Sequence, residues 1–147
     1  MFRGEFEHAI DPKGRTSLPA SFREQLSTGG SDRLVATAGL DACLLLYPLQ
    51  AWEELERKLA ALPSMDQRVR TVKRALIGRA HEISADRHGR ILIPPPLRSY
   101  AGFEREIVFV GQLSFIELWA RDKWTPDAQS FDPAEVQAAI ADLDLEI

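Results

Sequence analysis

Asp11 and Arg15 stand four residues apart around Pro12-Lys13-Gly14, and Asp86 and Arg90 repeat the spacing around Arg87-His88-Gly89. A carboxylate and a guanidinium placed this way can do two kinds of chemistry. The arginine can pair with its own aspartate and fix the turn. Alternatively it can reach outward and grip a planar acceptor pair, and guanine O6 and N7 match a bidentate arginine well. The residues alone leave both open. Asp11, Pro12 and Gly14 fill the first, second and fourth positions of a type I turn, and a glycine there can turn left-handed and close a hairpin with a bulge. Asp11, Gly14, Asp86 and Gly89 are therefore read as turn-forming, and Arg15 and Arg90 as strand-start side chains near a hairpin tip. Lys13 and Arg87 sit at the turn tips, where a cation suits phosphate contacts that position a ribbon on DNA. Arg3 is a further candidate for the phosphate backbone, with an ordinary exposed residue as the alternative.

Other chemistries find no constellation. His81 and His88 are seven apart, not the four that a zinc-binding helix needs, and no Gly-x-x-x-x-Gly-Lys loop exists for nucleotide phosphates. Cys43 lies in an apolar strand pattern, where an inert buried thiol is the default. No nucleophile, base and orienter converge, so the expectation is no catalytic residue, no metal, no cofactor and no small-molecule substrate. Trp52, Trp119 and Trp124 follow apolar periodicity and read as core or interface, and His8, on the face of Phe6 and Ile10, reads as partly buried. Arg70, Lys73 and Arg74 line one side of a helix as a solvated face or subunit contact.

The elements that must hold these side chains come in two copies. Asp11 to Pro19 aligns with Asp86 to Pro94 at an offset of 75, continuing to Phe22-Arg23 opposite Leu97-Arg98. Gly39 to Trp52 aligns with Gly111 to Trp124 at an offset of 72. Two blocks in one order at nearly one offset mark a duplication. Each copy reads as alternating strand, turn, short strand, short helix and a strand pair. A unit of this size buries little surface alone, so the two should share a core. The expected division is a first unit over 5–50, a helical linker over 51–78, a second unit over 79–122 and an acidic tail over 125–147. The linker should hold one helix ending at Pro63 and a second capped by Ser64 with Gln67, and Asp132-Pro133 should start a helix in the tail.

The net charge of −4 is unevenly spread. Residues 125–147 carry six acidic side chains and no basic one, whereas 57–105 holds eleven basic against four acidic. Such segregation fits a body that meets phosphates and a tail that avoids them, although solvated charge blocks are common. The chain lacks asparagine and has 14 arginines against 4 lysines, which biases any base reading toward arginine and guanine. The longest apolar run is too short to span a bilayer, the opening residues are unlike a signal peptide, and one cysteine makes no internal disulfide; these favour the cytoplasm.

The opening Met1-Phe-Arg-Gly4, the two Asp-x-x-x-Arg motifs, Cys43-Leu-Leu-Leu-Tyr-Pro48, Leu76-Ile-Gly-Arg-Ala80 and Val110-Gly-Gln112 together resemble the MraZ family over roughly residues 1–124. The resemblance implies an AbrB-like swapped-hairpin fold: a mainly β chain with short helices, in which two tandem half-barrel units interleave. It further implies a homo-oligomeric, ring-shaped, nucleoid-associated regulator that binds short direct repeats of double-stranded DNA upstream of a cell-division and cell-wall operon. The motif arginine maps onto Arg15 and Arg90. The second turn lacks the proline of the first, a departure from symmetry. An AbrB-like, antitoxin-like protein-interaction module is the alternative.

Overall fold

The computed structural model of the chain describes residues 1–124 and 132–146. The first unit contributes β1 (Glu5–Ala9), β2 (Arg15–Ser17), α1 (Ala20–Thr28), β3 (Arg33–Ala38) and β4 (Leu44–Pro48). Its counterparts are β5 (His81–Ser84), β6 (Arg90–Leu92), α4 (Pro95–Ala101), β7 (Glu106–Gln112) and β8 (Phe115–Ala120). Between them run α2 (Leu49–Ala60) and α3 (Gln67–Val72), the latter continuing as a π-helical stretch, Lys73–Ile77. A last helix, α5, spans Pro133–Asp142.

The sheet order explains why neither unit stands alone. Six antiparallel strands run β1-β7-β8-β4-β3-β5, and β2 pairs with β6 in a separate ribbon. Exchanging each strand for its counterpart reverses the first list and leaves the second unchanged, which defines a pseudo-two-fold axis. The register agrees. Thr16 lies opposite its equivalent Ile91, and Leu45 opposite its equivalent Glu117. β1 finds its partner in β7, and β5 in β3, so the units are interleaved as a swapped-hairpin fold requires. One expectation changes here. The first turn closes as a hairpin through Asp11 N–H donating to the Arg15 carbonyl (3.0 Å), but its two arms then part, β1 to one sheet and β2 to the other. Pairing with the opposite unit overrides the local hairpin.

Alternation along the strands points side chains of both units into one core, which includes Phe2, Ile10, Phe22, Leu34, Leu46, Ile91, Ile107 and Leu118. Phe22 on α1 is fully buried and meets Phe2 and Phe6 edge-on, with ring centroids 5.4 and 5.1 Å away. Proline precedes both α1 and α4, holding the chain extended before each helix. A smaller cluster of Val108, Val110 and Trp124 packs with Trp119. Trp52 is buried on α2 against Tyr47, and His8 is half-buried with its ring edge-on to Phe109.

The linker departs from expectation at its second helix. Asp66, not Ser64, is the N-cap of α3; its carboxylate accepts the Arg68 N–H at 2.9 Å while pairing with the Arg68 guanidinium. A charged acceptor carrying its own counterion outcompetes a hydroxyl. In the π-helical stretch, Gly78 N–H donates to the Lys73 carbonyl (3.0 Å), and the Leu76 carbonyl accepts the buried Thr37 hydroxyl (2.5 Å), tying linker to sheet. In the tail, Asp132 caps α5 through the Ala134 N–H (2.9 Å) as expected. None of the α5 residues is buried. The remainder of the expected tail, 125–131 and 147, lies outside the described residues.

Because Phe22 is fully buried in the core that both units line, Phe22→Ala should destabilise the whole chain by about 3–5 kcal/mol. Chemical denaturation should show one cooperative transition moved to lower denaturant. Two separated transitions would mean that the units do not share a core.

Candidate nucleic-acid interface

Each Asp-x-x-x-Arg motif folds into the same small structure. Asp11 Oδ1 accepts the backbone N–H groups of Lys13 and Arg15, both at 2.9 Å, and Oδ2 accepts Arg15 Nε at 2.7 Å. Asp86 Oδ1 accepts from His88 (2.8 Å) and Arg90 (2.9 Å), and Oδ2 from Arg90 Nε at 3.1 Å. The Gly14 and Gly89 N–H groups donate to the carbonyls of Asp11 and Asp86, both at 2.9 Å. Both glycines have left-handed backbone, φ +90° and +76°, which L side chains rarely adopt. Lacking the proline of the first turn makes no difference to this geometry in the second. The Arg15 N–H donated to Oδ1 holds the Asp11 carboxyl below its ordinary value, with the guanidinium assisting; the Arg90 N–H does the same for Asp86.

The ion pair leaves the arginine's outer edge available. Asp takes Nε, and among the described residues no hydrogen bond engages the terminal Nη groups of Arg15 or Arg90. Both side chains are about half exposed, at 49% and 50%. Fixing the turn and presenting two parallel N–H donors are thus compatible, one at each side of the same guanidinium.

The ribbon then brings the two arginines together. Arg15 pairs with Leu92 and Ser17 with Arg90, flanking the central Thr16–Ile91 pair. Thr16 and Ile91 are buried, so the other four side chains share the outer face. Arg15 and Arg90 are diagonal neighbours across the axis, roughly 7–8 Å apart at the backbone by ordinary sheet geometry. Lys13 and Arg87 are exposed at the two turns. Arg3 is not brought to this face. It lies at the opposite end of β1, beside the Phe2–Leu113 bridge. Arg70 donates to the Ser64 and Met65 carbonyls (3.2 and 2.7 Å) and so serves the entry to α3.

Two residues at the turns carry no role in the sequence reading. Arg98 Nη1 donates to the Pro12 carbonyl at 3.1 Å, and Arg23 Nη2 to the Arg87 carbonyl at 2.5 Å. The signal was present, since both follow the motif arginine by eight positions and both belong to the repeat. Local pattern cannot tell which turn each one reaches.

Away from this face, burial pushes the Cys43 thiol up to about 12, with the nearby Glu117 carboxylate adding to the effect. The thiol is 1% exposed and aims at Glu117 Oε2 at 3.8 Å, an unreactive protonated donor. No helix of the described residues is long and apolar enough to cross a membrane.

The family model described as "MraZ protein, putative antitoxin-like" matches residues 1–75 and again 76–143. The chain belongs to the MraZ family. Among its MraZ relatives, a protein of Pelotomaculum thermopropionicum is 46% identical over the full length of both chains, and one of Thioalkalivibrio sulfidiphilus is 42% identical over 95% of this chain and 93% of its own. A third, from Shewanella oneidensis, is 47% identical over 84% and 82%. All three carry the name "Transcriptional regulator MraZ". The double match to the MraZ model is the duplication seen in the fold, with each copy supplying one arginine turn.

The carboxylate shifts give a prediction with a definite sign. Both folded values lie below the ordinary 3.8, so the bonds to Asp11 and Asp86 contribute fully above that pH and are lost as pH falls through the folded values. A carbon-detected NMR titration of the side-chain carboxyls should give midpoints below 3.8 for both, and Asp11 should move toward 3.8 in Arg15→Ala. Midpoints at or above 3.8 in the unmutated protein would show that the turn network does not persist in solution.

Proposed function

We propose that this chain, like the relatives named transcriptional regulators, regulates transcription by binding double-stranded DNA. In this reading the β2–β6 ribbon enters the major groove, where a two-stranded ribbon fits. Arg15 and Arg90 read guanine edges through their free Nη groups, while Lys13 and Arg87 touch phosphates. The observation carrying the reading is the ribbon face itself, where two arginines held by their Nε atoms stand diagonally across the pseudo-dyad. Aspartate near DNA is tolerable there because each is paired with its arginine. Arg3, at the far end of β1, would reach phosphate only outside this contact.

Further parts of the proposal rest on the family resemblance. They are a homo-oligomeric ring, short direct repeats upstream of a cell-division and cell-wall operon as the target, and a nucleoid-associated location. The division into units over 5–50 and 79–122 joined by 51–78, with a tail over 125–147, rests instead on the internal repeat and the charge pattern, and a cytoplasmic location on composition. Protein capture in the antitoxin manner is a second reading, favoured by the family description and by the exposure of Val136 on α5 and of Leu143 just past its end, in an acidic segment. It predicts no operator preference, whereas DNA binding predicts affinity that falls steeply with salt.

Binding titrations on repeat-bearing and scrambled DNA test the site. Arg15→Ala should cost about 1–3 kcal/mol per lost guanine contact and erode discrimination between the two DNAs. Lys13→Ala should weaken both alike and reduce the salt slope by about one charge. Operator affinity unchanged in Arg15→Ala would place the arginine in the turn alone. Light scattering at micromolar concentration should give a mass several times 16.5 kDa, and a monomer would overturn the ring.

A further inference from the structure

We propose that Arg23 and Arg98 are crossed latches: each helix arginine holds the arginine-bearing turn of the opposite unit. Arg98, on α4 of the second unit, donates to Pro12 in the first turn. Arg23, on α1 of the first unit, donates to Arg87 in the second. The stems make equally close approaches. A Cβ built on Gly14 would lie 2.8 Å from Arg98 Cδ and 2.6 Å from its Nε; one on Gly89 would lie 2.7 Å from Arg23 Cδ and 2.9 Å from its Nε. Each latch therefore lies flush on the bare α-carbon of a turn glycine and bonds the carbonyl two positions before it.

The backbone crosses in the same way. Ile93 N–H donates to the Gly14 carbonyl and Leu18 N–H to the Gly89 carbonyl, both at 2.8 Å. A turn is thus held from two sides. Its own aspartate sets its internal shape, and the other unit sets where it points. This external hold matters because β1 and β2 leave the turn for different partners, so no shared ladder stiffens the stem. The same contact occurs twice, at equivalent residues with unequal turn sequences, which an incidental surface arginine would not reproduce. Arg23 and Arg98 are positioning residues, and they also set one cation against each turn.

The latch itself is independent of the ligand; its consequence for DNA rests on the function proposed above. Hydrogen–deuterium exchange on the full chain reads the latch without DNA. In Arg98→Ala, exchange across residues 11–15 should quicken several-fold, up to about tenfold, the loss expected from one hydrogen bond. Residues 86–90 should stay unchanged. Arg23→Ala should give the reverse, and Arg98→Lys, which keeps a donor for Pro12, should recover most of the protection. Should Arg98→Ala prove unstable, Arg98→Met keeps the stem over Gly14 and removes only the donor. Loosening of both turns alike, of the variant's own turn, or of neither would overturn the crossing. On DNA, Arg98→Ala should be less than additive with Arg15→Ala and additive with Arg90→Ala. Crossed exchange without that pattern of coupling would keep the latch and overturn the DNA reading of the turns instead.

Discussion

β1 has no ladder partner among the described strands of its own unit, and neither has β5. Each is completed by the other half of the chain, β1 on β7 and β5 on β3. An extended strand in contact with a core needs its backbone groups paired, so neither unit can close without the other. The shared main core follows from this exchange. So does the placement of α1 and α4, which cover that core with Phe22 and Leu97, and so does the meeting of β2 and β6 on the pseudo-axis. The two turns lie at this meeting point because the strands that leave them are claimed by opposite sheets.

Within that frame, the turn chemistry resolves into a division of labour inside one side chain. A guanidinium has five N–H donors in a fixed plane. Spending Nε on the aspartate fixes the plane and leaves the far edge to the solvent. The carboxylate stays ionised because backbone N–H groups converge on it. The pair is therefore close to neutral as a unit while remaining strongly polar at its exposed end. The net positive character of the face comes instead from Lys13, Arg87, Arg23 and Arg98, none of which has a carboxylate partner among the described residues.

Much of this is legible in the sequence. Strand positions, the turn geometry and the left-handed glycines follow from alternation and from turn residues, which are local, and the duplication foretold a shared core. What stayed hidden is non-local. Alternation over Phe6, His8 and Ile10 shows a strand, but not that its neighbour is β7. Arg23 and Arg98 were visible as repeated residues, but their targets lie 64 and 86 positions away in sequence. The error at Ser64 was of another kind, a choice between two good caps decided by the ion pair of Asp66 with Arg68. The π-helical stretch had no signal in apolar spacing; it is visible only once Thr37 is seen to claim the Leu76 carbonyl.

The ribbon pairs Arg15 with Leu92 and Arg90 with Ser17. A dimer of two identical chains would repeat each side chain across its axis and look the same after half a turn. Here the backbone keeps that equivalence and the side chains break it, with a hydroxymethyl group at one position and a 53% exposed isobutyl group at the other. The face therefore has a head and a tail. A linear molecule lying along it can be told from the same molecule reversed, so covalent fusion of the halves gives the ribbon a heading that a symmetric pair would lack.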